Sequence, residues 1–140
     1  MSLEAFLEEF RKSAVRPPNE KGFHGFGFIR RAFRREGEID PQILDLLRRA
    51  FLFAEKAHQG QMRKSGEPYF SHVVETALKL IQWRLDPQTI VAGLLHDVAE
   101  DTAFKLDQIK KEFGEEIAFL VEGATKIGHV KYRGAKTQEE

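Results

Sequence analysis

The chain has 140 residues, with 22 Lys+Arg, 22 Asp+Glu and no Cys, and its formal net charge is zero. A domain of that size buries roughly 68% of its unfolded surface without staples, and the missing cysteines exclude a disulfide framework, a thiolate zinc site and a thiol nucleophile. Hydrophobic content of 41% against 31% charged residues describes a soluble globular chain; no apolar run approaches the ~18 residues that cross a membrane and the start is unlike a signal peptide, so a cytoplasmic protein is expected.

Apolar spacing reads as helix almost throughout. Leu3, Phe6, Leu7 and Phe10 form one face of a first helix, which Pro17-Pro18 ends. Gly22, Gly25 and Gly27 interleave with Phe23, Phe26 and Phe28 in an irregular stretch that leads into a basic helix ending near Gly37. Asp40-Pro41 is a start signal, an N-cap acceptor followed by proline at the first helical position. Ile43, Leu47, Ala50, Ala54 and Ala57 then line one face down to about His58. Ser65-Gly66-Glu67-Pro68 is turn chemistry, and Val74, Ala77, Leu78 and Ile81 mark the next helix, with Ser71 as its cap. Asp86-Pro87 repeats the start signal for a helix whose stripe of Val91, Leu94, Leu95 and Val98 runs to Ala99. Leu106, Ile109 and Phe113 give a short helix stopped at Gly114, and Ile117, Leu120, Val121 and Ala124 give another. No alternating run of four or more residues reads as a strand. The expectation is an all-α helical bundle of about six or seven helices, with an internal boundary near residues 36–40.

Zero net charge hides an asymmetry. Residues 1–70 carry 13 basic and 10 acidic side chains, and residues 71–140 carry 9 and 12. The basic excess peaks between Arg11 and Glu36, and the densest acidic spot is Asp97, Glu100 and Asp101. With 100° per residue, a helix puts His96, Asp97, Glu100 and Asp101 on one polar arc of ~140°, opposite the Leu94/Leu95/Val98 stripe. Carboxylates gathered so closely repel unless some are protonated or a cation is present. Neutral His nitrogen and carboxylate oxygen suit Mn, Fe or Zn. The ordinary reading of a His-Asp pair is a solvated surface. Glu100 and Asp101, however, close their helix, where carboxylates oppose the macrodipole, and this favours a functional reason. His72, in a first helical turn and off the apolar stripe, is either a further ligand or an exposed residue; spacing does not say whether it meets His96.

The stretch from Ala57-His58-Gln59-Gly60-Gln61 through Met62-Arg63-Lys64-Ser65-Gly66-Glu67-Pro68-Tyr69 to His72 resembles the opening of the hydrolase domain of RelA/SpoT-type (Rel) proteins. So do Leu94-Leu95-His96-Asp97-Val98-Ala99-Glu100-Asp101-Thr102, Phe113-Gly114 and Gly123-Ala124-Thr125-Lys126-Ile127. These proteins make and degrade the stringent-response alarmone (p)ppGpp. The resemblance runs from about Ile39 to the end, with its motifs in order. It implies an HD-type, all-α, metal-dependent phosphohydrolase that removes the 3′-pyrophosphate of (p)ppGpp. By motif match it implies His72, His96 and Asp97 as ligands of a divalent ion, usually Mn²⁺. It assigns the hydrolytic chemistry to Glu100 and Asp101 and the guanine pocket to Arg63, Lys64 and Ser65.

Val73 follows His72 where the family usually has Pro, which leaves that ligand less pre-organised. The family's nucleotide-contacting Asn and Thr, its last metal-binding Asp and its synthetase domain lie beyond Glu140. Residues 39–140 are therefore expected to be an HD-type domain incomplete at its C-terminus, and residues 1–38 an N-terminal extension. Weak metal retention follows as an expectation, with an apolar face that a homo-oligomer would cover. The partner implied is a guanine nucleotide; no membrane or DNA is expected, and nothing in this segment supports ribosome or RNA contact. Arg30, Arg31, Arg34 and Arg35 read as a solvated helix face, Gly25-Phe26-Gly27 is not a phosphate loop, and His58 reads as structural. His24 and His129 receive no role. Two alternatives stay open: an HD-type hydrolase of another nucleotide, and a non-catalytic module that binds nucleotide or metal or docks to a protein.

Overall fold

Proline and aspartate set the two best-defined helix starts. Pro41 pushes the residue before it out of the helical region, and Asp40 adopts φ −56°, ψ 122° with its carboxylate accepting from the Gln42 amide at 2.9 Å. Asp86 does the same before Pro87, accepting from the Thr89 amide at 3.2 Å. The computed structural model describes residues 1–15, 33–35 and 38–126. In chain order these form α1 (Leu3–Val15), β1 (Phe33–Arg35), β2 (Glu38–Ile39), α2 (Pro41–Ala57), α3 (Tyr69–Gln82), α4 (Pro87–Leu95), α5 (Val98–Asp101), α6 (Leu106–Phe113) and α7 (115–126). The architecture is helical, as expected. No helix among the described residues is long and apolar enough to cross a membrane.

Helix α4 is the central element, packed on both α2 and α3, while α1 lies against α2 and α3. Leu47, Ala50, Phe51 and Ala54 of α2 meet Val73, Val74, Ala77 and Ile81 of α3 and Ile90, Val91, Leu94 and Leu95 of α4 in one core. Phe6 and Leu7 of α1 are fully buried in it; the Phe6 and Phe51 rings lie 5.2 Å apart, and Phe51 meets the edge of Phe70 at 5.0 Å. Ser13 near the end of α1 donates to the Ile81 carbonyl at 3.0 Å. Residues 1–38 read as an extension from sequence, yet α1 shares the bundle's core. On the opposite flank Phe53 of α2 holds Phe104 and Phe113 edge-on, and Arg49 lies over the Phe113 ring. Where α3 and α4 cross, a Cβ at Gly93 would run into the Leu80 side chain.

Four sequence expectations need correction. The basic helix ending near Gly37 is not present over 33–35: these residues form β1, antiparallel to β2 with Phe33 opposite Ile39 and Arg35 opposite Glu38. The extended Asp40 that Pro41 imposes continues upstream as strand, which a helix would not allow. The reading without strands thus missed a short ribbon. Ser71 is not a cap. Helix α3 begins two residues earlier, because the Tyr69 amide is satisfied by the Gln61 carbonyl at 2.9 Å across the preceding loop. The helix expected to run to Ala99 breaks at His96-Asp97. The arginine face, the Gly/Phe stretch, His24 and His129 lie outside the described residues, except that Arg34 and Arg35 fall in β1.

Helix α3 ends in a Schellman motif: the Leu85 amide bonds the Leu80 carbonyl and the Arg84 amide the Ile81 carbonyl, at 3.1 and 2.9 Å. Arg84 occupies the left-handed position at φ 57°, which favours glycine. Arg84→Gly is therefore expected to stabilise the fold by about 0.5–1 kcal/mol. A urea titration checks this, and a lowered midpoint would contradict it.

Candidate active site

The loop between α2 and α3 folds back on itself. Gly60 and Gly66 take φ 80° and 89°, Arg63 and Glu67 pair through the Arg63 amide at 2.8 Å, and Met62 bridges Pro68. This narrow turn carries Arg63, Lys64 and Ser65 exposed at its tip. Beneath it His58, at the end of α2, is buried, with Nδ1 2.8 Å from Gln61 Oε1. Its structural reading from sequence agrees with that burial.

The break between α4 and α5 has a local cause. His96 Nδ1 donates to the Gly93 carbonyl at 2.6 Å, and Asp97 sits at φ −90°, ψ −9°, outside the helix minimum. The chain resumes as the single turn α5, whose last residues Glu100 and Asp101 are exposed. Because a carbonyl can only accept, Nδ1 carries the proton, and Nε2 is directed at Asp97 Oδ2, 3.0 Å away. A neutral Nε2 would set lone pair against lone pair. The pair therefore calls for a positive charge between or on its members, either a proton on His96 or a cation.

Burial of the His96 ring opposes that proton, but the hydrogen bond and charge of Asp97, the Gly93 carbonyl and the charge of Glu100 outweigh it and raise its pKa. Burial likewise opposes ionisation of Asp97; the hydrogen bond and charge of His96, the Tyr69 hydroxyl and the charge of His58 overcome this and lower its pKa. Tyr69, at the first position of α3, donates to Asp97 Oδ2 at 2.7 Å and stands 3.4 Å from Asp101 Oδ2. Its own pKa is pushed up, first by burial and then by the two carboxylates.

Without a divalent cation these shifts fix a pH window. The raised His96 contributes stability that is full below about 6.5 and lost as pH rises through its higher folded pKa. The lowered Asp97 contributes stability present above about 3.8 and lost as pH falls through its lower folded pKa. Metal-free protein is therefore expected to melt at higher temperature near pH 5.5 than near pH 8.5, with added Mn²⁺ offsetting the alkaline loss. Circular dichroism melts with and without chelator check this; a metal-free melt that rises with pH over that range would contradict it.

An open cleft of about 730 Å³ lies beside the cluster, lined by Gln61, Met62, Arg63, Lys64, Ser65, Glu67, Tyr69 and Asp101. The structure thus brings Arg63, Lys64 and Ser65 to the same cleft as Asp101, and Asp101 to Asp97 and His96 through Tyr69. Glu100 joins through its charge on His96. His72 is brought in less closely: its ring meets that of Tyr69 at 5.9 Å. Among the described residues no group of three His, Cys, Asp or Glu side chains is gathered as a metal cage. The donor chemistry of His96 and Asp97 nonetheless fits a divalent ion, with an imidazole oriented by a carbonyl and a carboxylate facing its other nitrogen. The residue that sequence reasoning missed is Tyr69. It appears in the family motif, and its place one turn before His72 was the available signal.

The chain is 47% identical over 98 residues to the guanosine-3′,5′-bis(diphosphate) 3′-pyrophosphohydrolase of Aquifex aeolicus, covering 70% of this chain and 14% of that protein. It is 45% identical over 101 residues to the GTP pyrophosphokinase of Myxococcus xanthus, covering 72% and 13%. It is 47% identical over 90 residues to the bifunctional (p)ppGpp synthase/hydrolase SpoT of Escherichia coli, covering 64% and 13%. The chain spans about an eighth of the length of these relatives. The family profile described as HD domain matches residues 50–140, from the middle of α2 through the loop, the His-Asp break and beyond, and the chain belongs to the HD domain family.

Proposed function

We propose that this chain hydrolyses the 3′-pyrophosphate of (p)ppGpp, giving GDP or GTP and pyrophosphate, with Mn²⁺ held by His72, His96 and Asp97. The observation that carries the reading is the cleft in which the Arg63-Lys64-Ser65 tip faces Asp101, itself tied to the His96-Asp97 pair by Tyr69. The names of two of the three relatives above, both including hydrolase chemistry, support the same substrate. A bound divalent ion supplies Lewis-acid polarisation of the phosphoryl group and activation of water.

The chain's own groups do the rest. Arg63 stacks on the purine or forks to phosphate through its planar guanidinium, Lys64 adds charge, and Ser65 offers a hydroxyl. Water oxygen bonds to the phosphorus carried on the ribose 3′ oxygen, the P–O3′ bond breaks, and the 3′ oxygen takes a proton. Glu100 and Asp101 share the two proton duties, accepting from water and supplying the leaving oxygen. Such a reaction belongs in the cytoplasm, where guanine nucleotides are made.

The test is direct. Protein incubated with Mn²⁺ and ppGpp is expected to release pyrophosphate and GDP, and Asp101→Asn to stop the release. Guanine-nucleotide binding without turnover under any divalent ion would replace the hydrolase reading with a binding module.

A further inference from the structure

Tyr69 is where the separate parts of the site touch. Its hydroxyl oxygen spans two carboxylates, 2.7 Å from Asp97 and 3.4 Å from Asp101. On Asp97 it reaches Oδ2, the same oxygen that faces His96 Nε2. The ring meets two imidazoles, His58 at 5.1 Å and tilted 36°, His72 at 5.9 Å and near edge-on. The backbone is held as well, since Gln61 accepts from the Tyr69 amide through its carbonyl and bonds His58 through its side chain.

His58 is an unusual thing to keep behind that ring. It is only 2% exposed, and with Nδ1 engaged by Gln61 its Nε2 has no hydrogen-bond partner. Buried polar atoms are nearly always satisfied, and the exceptions call for a reason other than fold stability. Here its ring lies against that of Tyr69.

Resting on the hydrolase reading, we propose that Tyr69, backed by His58, is the positioning residue of this site: it anchors Asp97 by the carboxylate oxygen that faces His96 Nε2, and sets the spacing from Asp97 to Asp101. It takes no part in bond making. Its effect reaches the reaction through the two carboxylates it holds.

The experiment titrates Mn²⁺ alone into wild-type protein, Tyr69→Phe, His58→Phe and His58→Ala by calorimetry, with melts and ppGpp kinetics in parallel. Tyr69→Phe keeps the ring and loses only the hydroxyl. It is expected to bind Mn²⁺ about tenfold more weakly and to lose kcat by a similar factor, the usual consequence of removing a group that orients a ligand. KM for ppGpp should change less than about twofold, because the Arg63-Lys64-Ser65 tip is untouched. His58→Phe, which keeps a ring behind Tyr69, should retain Mn²⁺ affinity, and His58→Ala should lose it in part. Wild-type affinity and kcat in Tyr69→Phe would overturn the positioning role and leave the hydrolase reading standing. A lower melting temperature with unchanged affinity would assign Tyr69 to structure alone and overturn it equally. A wild-type protein that binds no Mn²⁺ would overturn both.

Discussion

Asp97→Asn is expected to cut pyrophosphate release from ppGpp by at least ~100-fold, about 2.7 kcal/mol of transition-state stabilisation. Asparagine matches aspartate in size and still offers one oxygen to Tyr69 and His96, so the local packing persists. What disappears is the negative charge. Burial opposes a proton on His96, and that charge is one of the contributions, with the Asp97 hydrogen bond, the Gly93 carbonyl and the charge of Glu100, that together raise its pKa when no metal is bound; it would bind a divalent ion when one is. The same substitution should abolish the alkaline rescue of the melt by Mn²⁺. If the proposed site is right, Lys64→Ala, at the exposed tip of the loop, should instead raise KM with little change in kcat, since it would remove charge offered to ground and transition states alike. An Asp97→Asn protein retaining a third of wild-type turnover would remove Asp97 from the site.

The largest effect on stability is expected from Phe6→Ala. Phe6 is 0% exposed, and its ring packs on Phe51, which in turn meets Phe70, so one side chain joins α1 to α2 and, through Phe51, to α3. Removing it leaves a ring-sized cavity in a core that cannot collapse from three sides, at a cost of about 3–5 kcal/mol. For a chain of this size that lowers the melting temperature by roughly 10–20 °C. Calorimetry should show a single transition at the lower temperature. A shift under ~3 °C, or a separate early transition, would mean that α1 melts apart from the bundle.

Much of the bundle was legible because its signals are local. Asp40-Pro41 and Asp86-Pro87 work within one turn, and Gly114 ends α6 at φ 96°, a conformation that favours glycine. The misses arose where a partner distant in sequence decides. Ser71 looks like a cap until Gln61, eight residues before Tyr69, satisfies the helix's first amide. β1 exists because Ile39 offers it a ladder, and three residues carry no alternation to read. The site divided in the same way. Residues of the His96-to-Asp101 run are neighbours in sequence, and their clustering followed from helix geometry even though the helix breaks between them. That Asp101 would share a cleft with Arg63, and that Tyr69 would join them, depends on how the loop before α3 folds against α5. No spacing rule reaches across those 30-odd residues.

Gly93 has two duties at once. Its missing side chain makes room for Leu80 where α3 crosses α4, and its carbonyl orients His96. A protein engineer seeking helix propensity would replace it with alanine and expect a gain of about 1 kcal/mol. The new methyl would instead meet the end of the Leu80 side chain, which would have to turn aside, offsetting part of that gain. Helix propensity and close packing therefore compete at this one backbone position, and stabilising designs for this domain do better to begin at Arg84, on the turn before α4 and twelve residues ahead of His96.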